Sequence, residues 1–286
     1  MLSLLKSSFK EFFSDDVPLL AGGLAYFALF SIAPLLVVSI AIAGIFFGEE
    51  ATQGRVLETI GGLVGREGSE AVSAMIQGAS RRKGEGMFSL VGGIVMLLLG
   101  ASGVFAHLRN VLDKIWGVEV PVKEGIVAKI VDKLWSLGLV LSVGFIVIVS
   151  LLASAALAAI GAWAESRLPL SEWVWHAINF LVSFGVFTLA FAAIYKFIPD
   201  AEIEWKDVWG GAAFTALLFT IGKLLIALYL GRSAFASSYG AVGSILILLL
   251  WLYYSGIILL FGGEFTEVWA RERHGLRTRA ERETQE

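Results

Sequence analysis

The chain contains no cysteine, and charged residues are scarce. Without cysteine it can form neither disulfide bonds nor thiolate metal sites. Only 16% of its 286 residues are Asp, Glu, Lys or Arg, whereas soluble domains average about 25%. The formal net charge of −3 does not indicate a nucleic-acid partner. These absences argue against a disulfide scaffold, an ordinary soluble domain and a nucleic-acid-binding protein.

The sequence also lacks the motifs of an enzyme. His107, His176 and His274 stand on three different segments, and none has the spacing of a zinc or di-iron site. No phosphate-binding P-loop, no GxSxG nucleophile elbow and no paired carboxylates within a span occur. We therefore expect no catalytic residues, no metal and no other cofactor, and we expect that the protein is not an enzyme.

Long apolar runs dominate the sequence instead. The chain is 57% hydrophobic, and several continuous apolar runs exceed the roughly 18 residues that predict a transmembrane helix. Because the runs are continuous rather than alternating, they predict helices and not the strands of a barrel. The predicted fold is all-α, with a six-helix membrane domain over residues 15–270. Its spans are predicted at 19–47, 87–107, 134–163, 173–197, 208–230 and 239–265.

Lysine and arginine set the predicted direction of these spans. Placing both termini in the cytoplasm puts twice as many of these residues on the inner side as on the outer side. The positive-inside rule therefore favours an N-in, C-in topology. In this topology residues 271–286 form a charged cytoplasmic tail.

Two segments outside the spans are amphipathic. Residues 1–14 place Leu5 and Phe9 apart from Lys6 and Lys10, which predicts a helix lying in the membrane interface. Residues 48–86 form the only sizeable predicted loop, in which two apolar stripes flank the sequence GGLVGREG. We expect two amphipathic helices on the outer face of the bundle, acting either as a structural cap or as a gating lid.

Pro34 and Lys223 interrupt two of the apolar runs. Proline removes one backbone hydrogen bond, so Pro34 predicts a kink or break that is either a packing feature or a hinge. Around Lys223, a helical wheel places Ala212 and Ala216 on the same side and bulky aliphatic residues on the opposite side. Small residues mark helix–helix contacts in membranes, so Lys223 is predicted to face protein or a cavity.

Lys223 has two interpretations. A charge at this depth costs at least about 2.5–3.5 kcal/mol, so such residues often mark function. Lys223 either snorkels or forms a structural ion pair, or it binds an anionic ligand. In the second case, Arg232 and Tyr239 in the following outer turn complete a phosphate or carboxylate site. Tyr253 and Glu264 lie on the same stripe of the last span as Tyr239, and Glu264 is either part of a site or an ordinary interfacial acid.

Four stretches of the chain match a known family. They are AGGLAYFALFSIAPLL (21–36), LRNVLDKIWGV (108–118), YKFIPDAEIEWKDVWGGA (195–212) and SSYGAVGSILILLLWLYYSGIILLFGGEF (237–265). Together they resemble the YihY/BrkB family of bacterial inner-membrane proteins. The resemblance implies six membrane helices and a multi-pass location in the bacterial cytoplasmic membrane. The candidate residues that occupy the family's pattern positions are Tyr26, Pro34, Tyr239, Tyr253 and Glu264.

The resemblance also implies a choice of functions. Family members have been labelled ribonuclease BN or virulence and serum-resistance factors, and others have been linked to export of lipid precursors. We expect a transporter or flippase-like protein whose substrate is an anionic, amphipathic, lipid-like molecule and whose partners are membrane lipids. Lys223 and Arg232 would hold the charged head, and Pro34 would allow motion. The alternative is a non-catalytic scaffold for envelope proteins or lipids, with the outer helical loop as its binding surface.

Overall fold

The structure, a computed structural model, describes residues 2–81, 103–118, 172–232 and 241–274. Every regular element in this part of the chain is an α-helix, which confirms the all-α class. The helices are α1 (Leu2–Ser14), α2 (Val17–Phe47), α3 (Glu49–Arg81), α4 (103–115), α5 (Glu172–Phe197), α6 (Trp205–Arg232) and α7 (Ala241–His274).

The chain divides into two compact units. The first unit comprises Met1–Leu29, Val104–Lys123 and Phe184–Glu286, and the second comprises Phe30–Gly103 and Glu124–Ser183. The first unit holds α1, α4, α6 and α7, the start of α2 and most of α5. The second unit holds α3, the rest of α2 and the first part of α5, residues 172–183. All the contacts described for the candidate site below lie within the first unit.

Three helices of the described residues are long and apolar enough to cross a membrane. They lie at Phe180–Phe197, Trp205–Ile226 and Gly243–His274. A fourth span results if Ser3–Ser14 and Val17–Ile32, which are bent by 66°, are taken together. Of the predicted spans, 134–163 lies outside the described residues, and so does all of 87–107 except its last five positions. The count of six and the N-in, C-in direction remain predictions.

Helices α6 and α7 pack closely and antiparallel in the first unit. At three levels a glycine of one helix meets a larger side chain of the other, so that an added Cβ atom would overlap that side chain. The pairs are Gly211 with Thr266, Thr215 with Gly262, and Gly222 with Tyr254. Residue numbers rise on α6 as they fall on α7, which establishes the antiparallel direction. Glycine permits this approach because it brings the two backbones close, as in other membrane helix pairs.

The two sides of α6 differ as the helical wheel predicts. Ala212 and Ala216 are fully buried, whereas Leu217 and Ile221 are 45% and 46% exposed. One residue departs from this pattern. Phe214, which the wheel places on the exposed side, stacks on Phe265 with ring centroids 4.1 Å apart. It is partly covered because α7 presents an aromatic ring to it.

Helix α1 is bent away from α2 and packs on α7. Leu4 joins Phe265 and Val268 in one buried cluster. The turn between α1 and α2 contains Asp16 with a positive φ of 56°, a conformation that an aspartate tolerates better than most residues. This turn lets α1 lie across the end of the bundle instead of continuing the direction of α2.

In the second unit, α3 contains a break at Gly65. Its φ of 79° lies in the region that favours glycine, and the helix is regular on both sides of it. The Ser69 hydroxyl donates a hydrogen bond to the Leu57 carbonyl at 2.9 Å, so the two arms fold back on each other. These arms correspond to the two amphipathic helices predicted within 48–86, and Val56 and Val72 are buried on their apolar stripes.

Helix α2 runs through Pro34 without a break, as one helix of 31 residues from Val17 to Phe47. A proline removes a single backbone donor, and membrane helices accommodate that loss. The sequence predicts either a kink or a break at Pro34, and the structure shows no break there. A hinge role for Pro34 remains a prediction.

Candidate functional site

Lys223 lies on α6 at the border between two environments. Its side chain is half-buried, on the same side of the helix as the buried Ala212 and Ala216. The next two residues, Leu224 and Leu225, are 59% and 58% exposed. Within the part of the chain that the structure describes, Lys223 forms no hydrogen bond or ion pair. Lys223 is therefore a half-buried lysine that directly precedes two exposed leucines of α6.

The other predicted site residues are spread along the bundle. Tyr26 is 59% exposed on α2, with its ring centroid 5.8 Å from that of Phe27. Arg232 is the last residue of α6, and its side chain lies outside the described part of the structure, as does the whole of Tyr239. Tyr253 packs near Gly22 of α2.

Lys223 and Glu264 occupy different levels of the first unit. Gly222 of α6 lies opposite Tyr254, so Lys223 shares the level of Tyr253 and Tyr254. Glu264 follows Tyr253 by three helical turns, which is roughly 16 Å along the axis of α7. The structure thus does not bring Lys223 and Glu264 into one site.

Glu264 belongs to a buried polar cluster at one end of the first unit. Its side chain is 1% exposed, so it is not an acid facing interfacial water. It borders a cavity of about 10 Å³, which is the room that one water molecule needs. The residues around the cavity come from α1, the end of α4 and α7. They are Glu11, Asp15, Ile115, Trp116, Gly117, Glu264, Glu267 and Arg271.

Arg271 pairs with two carboxylates of this cluster. One of its terminal nitrogens lies 3.4 Å from a Glu11 oxygen, and the other lies 3.3 Å from a Glu267 oxygen. The Arg271 side chain is only 7% exposed, so both ion pairs are largely removed from water. Arg271 thereby fastens α1 to α7. The predicted tail begins at residue 271, but α7 continues to His274, and residues 275–286 lie outside the described residues.

A second charged group joins α4 to the segment between α5 and α6. The Asp113 side chain is 2% exposed, and its Oδ1 atom accepts a hydrogen bond of 2.7 Å from the backbone N–H of Asp200. Arg109 lies 3.9 Å from Asp113 and also pairs with the Asp200 carboxylate. Burial raises the pKa of Asp113, while the hydrogen bond from Asp200 opposes that effect. The sequence predicts the Arg109–Asp113 pair from its i,i+4 spacing but not the role of Asp200.

Further polar contacts hold the same end together. The Lys114 ammonium donates to the Asp15 carbonyl at 2.8 Å, and the Lys196 ammonium donates to the Ile203 carbonyl at 2.5 Å. These bonds use backbone acceptors distant in sequence or beyond a helix end. No spacing rule could have found the Lys114 contact.

Asp207, at the start of α6, contacts two residues at the end of α7. Its carboxylate lies 3.3 Å from Arg273 and 2.9 Å from the His274 ring. Glu204 is close enough that one ligand atom from each of Glu204, Asp207 and His274 lies within 4.8 Å of the others. Asp207 and His274 are 67 positions apart in the sequence, so no sequence pattern predicts that they lie together. Because Arg273 and His274 both engage the Asp207 side chain, the arrangement is a structural link between the start of α6 and the end of α7.

Tyr195 connects three helices in the apolar middle of the first unit. It is fully buried on α5, and its hydroxyl donates to the Leu259 carbonyl of α7 at 2.7 Å. The same oxygen lies 3.0 Å from the Thr215 hydroxyl of α6. A tyrosine buried in this way needs a partner for its hydroxyl, and here it obtains two. The sequence offered no sign of this role, because Tyr195 lies in an ordinary apolar run.

The chain has relatives among bacterial membrane proteins. A family model described as virulence factor BrkB matches residues 8–286. The ribonuclease-like protein YfkH of Bacillus subtilis is 26% identical over 92% of this chain and 94% of its own length. The UPF0761 membrane protein PSHAa0171 of Pseudoalteromonas translucida is 28% identical over 88% of this chain and 81% of its own length. A UPF0761 membrane protein of Verminephrobacter eiseniae is 26% identical, and the match spans only 60% of that longer protein. No solved structure matches the chain.

Proposed function

The chain belongs to the virulence factor BrkB family of membrane proteins, and from that premise we propose that it moves an anionic, lipid-like amphiphile across the membrane. The proposed location is the bacterial inner membrane, and the proposed activity requires no catalytic residue. The observation that carries the proposal is the half-buried Lys223, which forms no ion pair within the described part of the chain.

The ammonium group of Lys223 is costly to place inside a membrane. An uncompensated lysine inside a membrane helix costs at least about 2.5–3.5 kcal/mol at the bilayer centre. A phosphate or carboxylate bound to Lys223 would offset part of that cost.

The surroundings of Lys223 fit an amphiphile. Tyr253 and Tyr254 share its level on α7 and are partly exposed, so their hydroxyl groups are candidate hydrogen-bond donors. Leu224 and Leu225 on the outer side offer an apolar path for acyl chains. Arg232 and Tyr239 remain predicted members of the site on the basis of their closeness in sequence.

The test is lipid movement in proteoliposomes. The purified full chain is reconstituted with fluorescent phosphatidylglycerol or phosphatidylcholine, and the fraction of label reached by an external quencher is followed. Lys223→Met keeps the length of the side chain and removes its charge, and we expect it to slow movement of the anionic lipid by about tenfold, which corresponds to about 1.4 kcal/mol. Lys223→Arg is expected to retain most of the rate.

Lys206→Met is the matched control, because Lys206 is an exposed lysine at the start of the same helix. We expect it to behave like the wild type. If protein-containing and protein-free liposomes give the same rate, the transport proposal fails. A partner captured in fixed ratio without any flux would then favour the scaffold function. If movement occurs but Lys223→Met leaves it unchanged, the assignment of Lys223 is wrong.

The name of one relative points to another class of function. The B. subtilis protein is called ribonuclease-like. We propose a non-enzymatic role for the present chain because its sequence contains no recognisable nuclease motif. Release of acid-soluble nucleotides from RNA by the purified chain, with Mg²⁺ or Mn²⁺ added, would overturn that part of the proposal.

A further inference from the structure

The outward side of α1 is apolar and basic at once. We propose that this side binds anionic phospholipids of the leaflet at the charged end of the first unit, with its phenylalanines among the acyl chains and its lysines at the phosphates. The proposal is independent of transport and of Lys223.

The inward side of α1 is fixed to the protein. Leu4 packs with Phe265 and Val268 of α7, and Phe12 meets Phe261 edge-on with ring centroids 5.5 Å apart. Leu4 and Phe12 are 9% and 7% exposed. These contacts settle which side of α1 remains outside, so the orientation of the helix is defined.

The outward side carries an apolar stripe. Leu5, Phe9 and Phe13 are spaced by four residues and lie on one face of the helix. Phe9 also meets Phe261 of α7 edge-on, with ring centroids 5.7 Å apart, so it borders the inward side. It is nevertheless 56% exposed, and Phe13, whose ring lies 5.5 Å from that of Phe9, is 58% exposed. Two adjoining exposed aromatic rings would contact water unless lipid covers them, and an amphipathic helix in the interface buries such a face in the acyl boundary.

The fold places the basic and the acidic residues of α1 on different sides of the helix. Lys6 and Lys10 are exposed beside the apolar stripe. Glu11, the only acid within α1, points to the protein and pairs with Arg271. In the turn that follows α1, Asp15 is 8% exposed and Asp16 is exposed. A sequence of mixed charge thus presents a basic outer face, which is complementary to acidic head groups.

The connection to α2 puts this face at the depth of the head groups. Only two residues separate α1 from α2, and the two axes are bent by 66°. If α2 crosses along the membrane normal, α1 lies within roughly 25° of the membrane plane, as interfacial helices do. Its position beside the charged cluster around Arg271 agrees with that depth.

The absence of cysteine allows a direct test in the full chain. Single variants Phe9→Cys and Glu202→Cys are spin-labelled and reconstituted in bilayers containing phosphatidylglycerol. We expect the label at position 9 to collide more with oxygen than with a water-soluble nickel reagent, and the label at position 202, an exposed acid, to show the opposite preference. A label at position 9 with the same aqueous preference as position 202 would overturn the proposal.

Lipid selectivity is tested by native mass spectrometry of the detergent-solubilised chain titrated with phosphatidylglycerol or phosphatidylcholine. The double variant Lys6→Gln/Lys10→Gln is expected to lose roughly tenfold in phosphatidylglycerol binding and to keep its phosphatidylcholine binding. Lys206→Gln, which removes an exposed lysine two residues after the exposed acid Glu204, is the control and is expected to change neither. Equal losses for both lipids, or no loss for either, would contradict the proposed recognition of anionic head groups.

Discussion

Two regions of the first unit differ in whether their buried charged side chains have ionic partners. At its charged end, Arg271 and Asp113 are almost fully buried, and each has ionic partners. In the middle of α6, Lys223 is half-buried and has no such partner among the described residues. The comparison teaches that burial of a charge does not by itself mark a functional site. A buried charge with partners is explained by the fold, whereas one without partners among the described residues is open to two interpretations, snorkelling or ligand binding.

The largest effect is expected when a paired charge at the charged end is removed. Arg271→Met would leave the carboxylates of Glu11 and Glu267 close together without their cation. We expect a loss of about 3 kcal/mol in the free energy of unfolding, as for other broken buried ion pairs. Thermal unfolding of the detergent-solubilised chain measures it.

Arg273→Met is the matched control for Arg271→Met. Arg273 is 48% exposed, and after its removal the His274 ring still lies 2.9 Å from the buried Asp207 carboxylate, so the loss is expected to be smaller than for Arg271→Met. Equal losses for the two variants would show that the ion pairs of Arg271 contribute no more than exposed ones. The distinction between the two regions would then lose its energetic basis.

A smaller, pH-dependent effect is expected at Asp113. Its pKa in the folded chain is raised above the ordinary value of 3.8, so the folded state holds the proton more tightly than the unfolded state. The contribution of Asp113 to stability is therefore greatest below pH 3.8 and falls as the pH rises through the raised pKa. Asp113→Asn should abolish this fall while its amide oxygen still accepts from Asp200.

The measurement for Asp113 is the difference in unfolding temperature between wild type and Asp113→Asn as a function of pH. Wild type is expected to lose stability relative to the variant as the pH rises from acid toward neutral. A difference that grows in the opposite direction would mean that Arg109 dominates the environment of Asp113 and lowers its pKa.

The smallest effect on stability is expected at Lys223. Because the lysine has no ionic partner to leave behind among the described residues, Lys223→Met should not lower the free energy of unfolding. The same thermal assay checks it. A loss comparable to that of Arg271→Met would reveal a structural ion pair with residues outside the described part of the chain, and the contrast between the two regions would disappear.

Much of the helical framework could be predicted from the sequence. The apolar runs around α5, α6 and α7 are long enough to predict membrane helices, and the small residues beside Lys223 predict which side of α6 is buried. The GGLVGREG stretch marks the break in α3, because glycine accepts the positive φ found at Gly65. Each of these features depends on residues that are close in sequence.

The charged end could not be predicted in the same way. Glu11 meets Arg271, Asp113 meets Asp200, and Asp207 meets His274, each across a large part of the chain. Glu264 was open to interpretation as an interfacial acid until its burial was known. Tyr195 gave no signal, since a tyrosine in an apolar run is equally compatible with a lipid-facing position.

The sequence by itself determined that the chain enters a membrane, that its elements are helices, and that Lys223 is an isolated cation in an apolar run. These properties follow from local hydropathy and periodicity, because a helix satisfies its own backbone in lipid. Only the tertiary structure decided which charges are neutralised and which side of α1 faces outward. Pairing of charges requires that distant segments meet, and that meeting is set by how α1, α4, α6 and α7 pack.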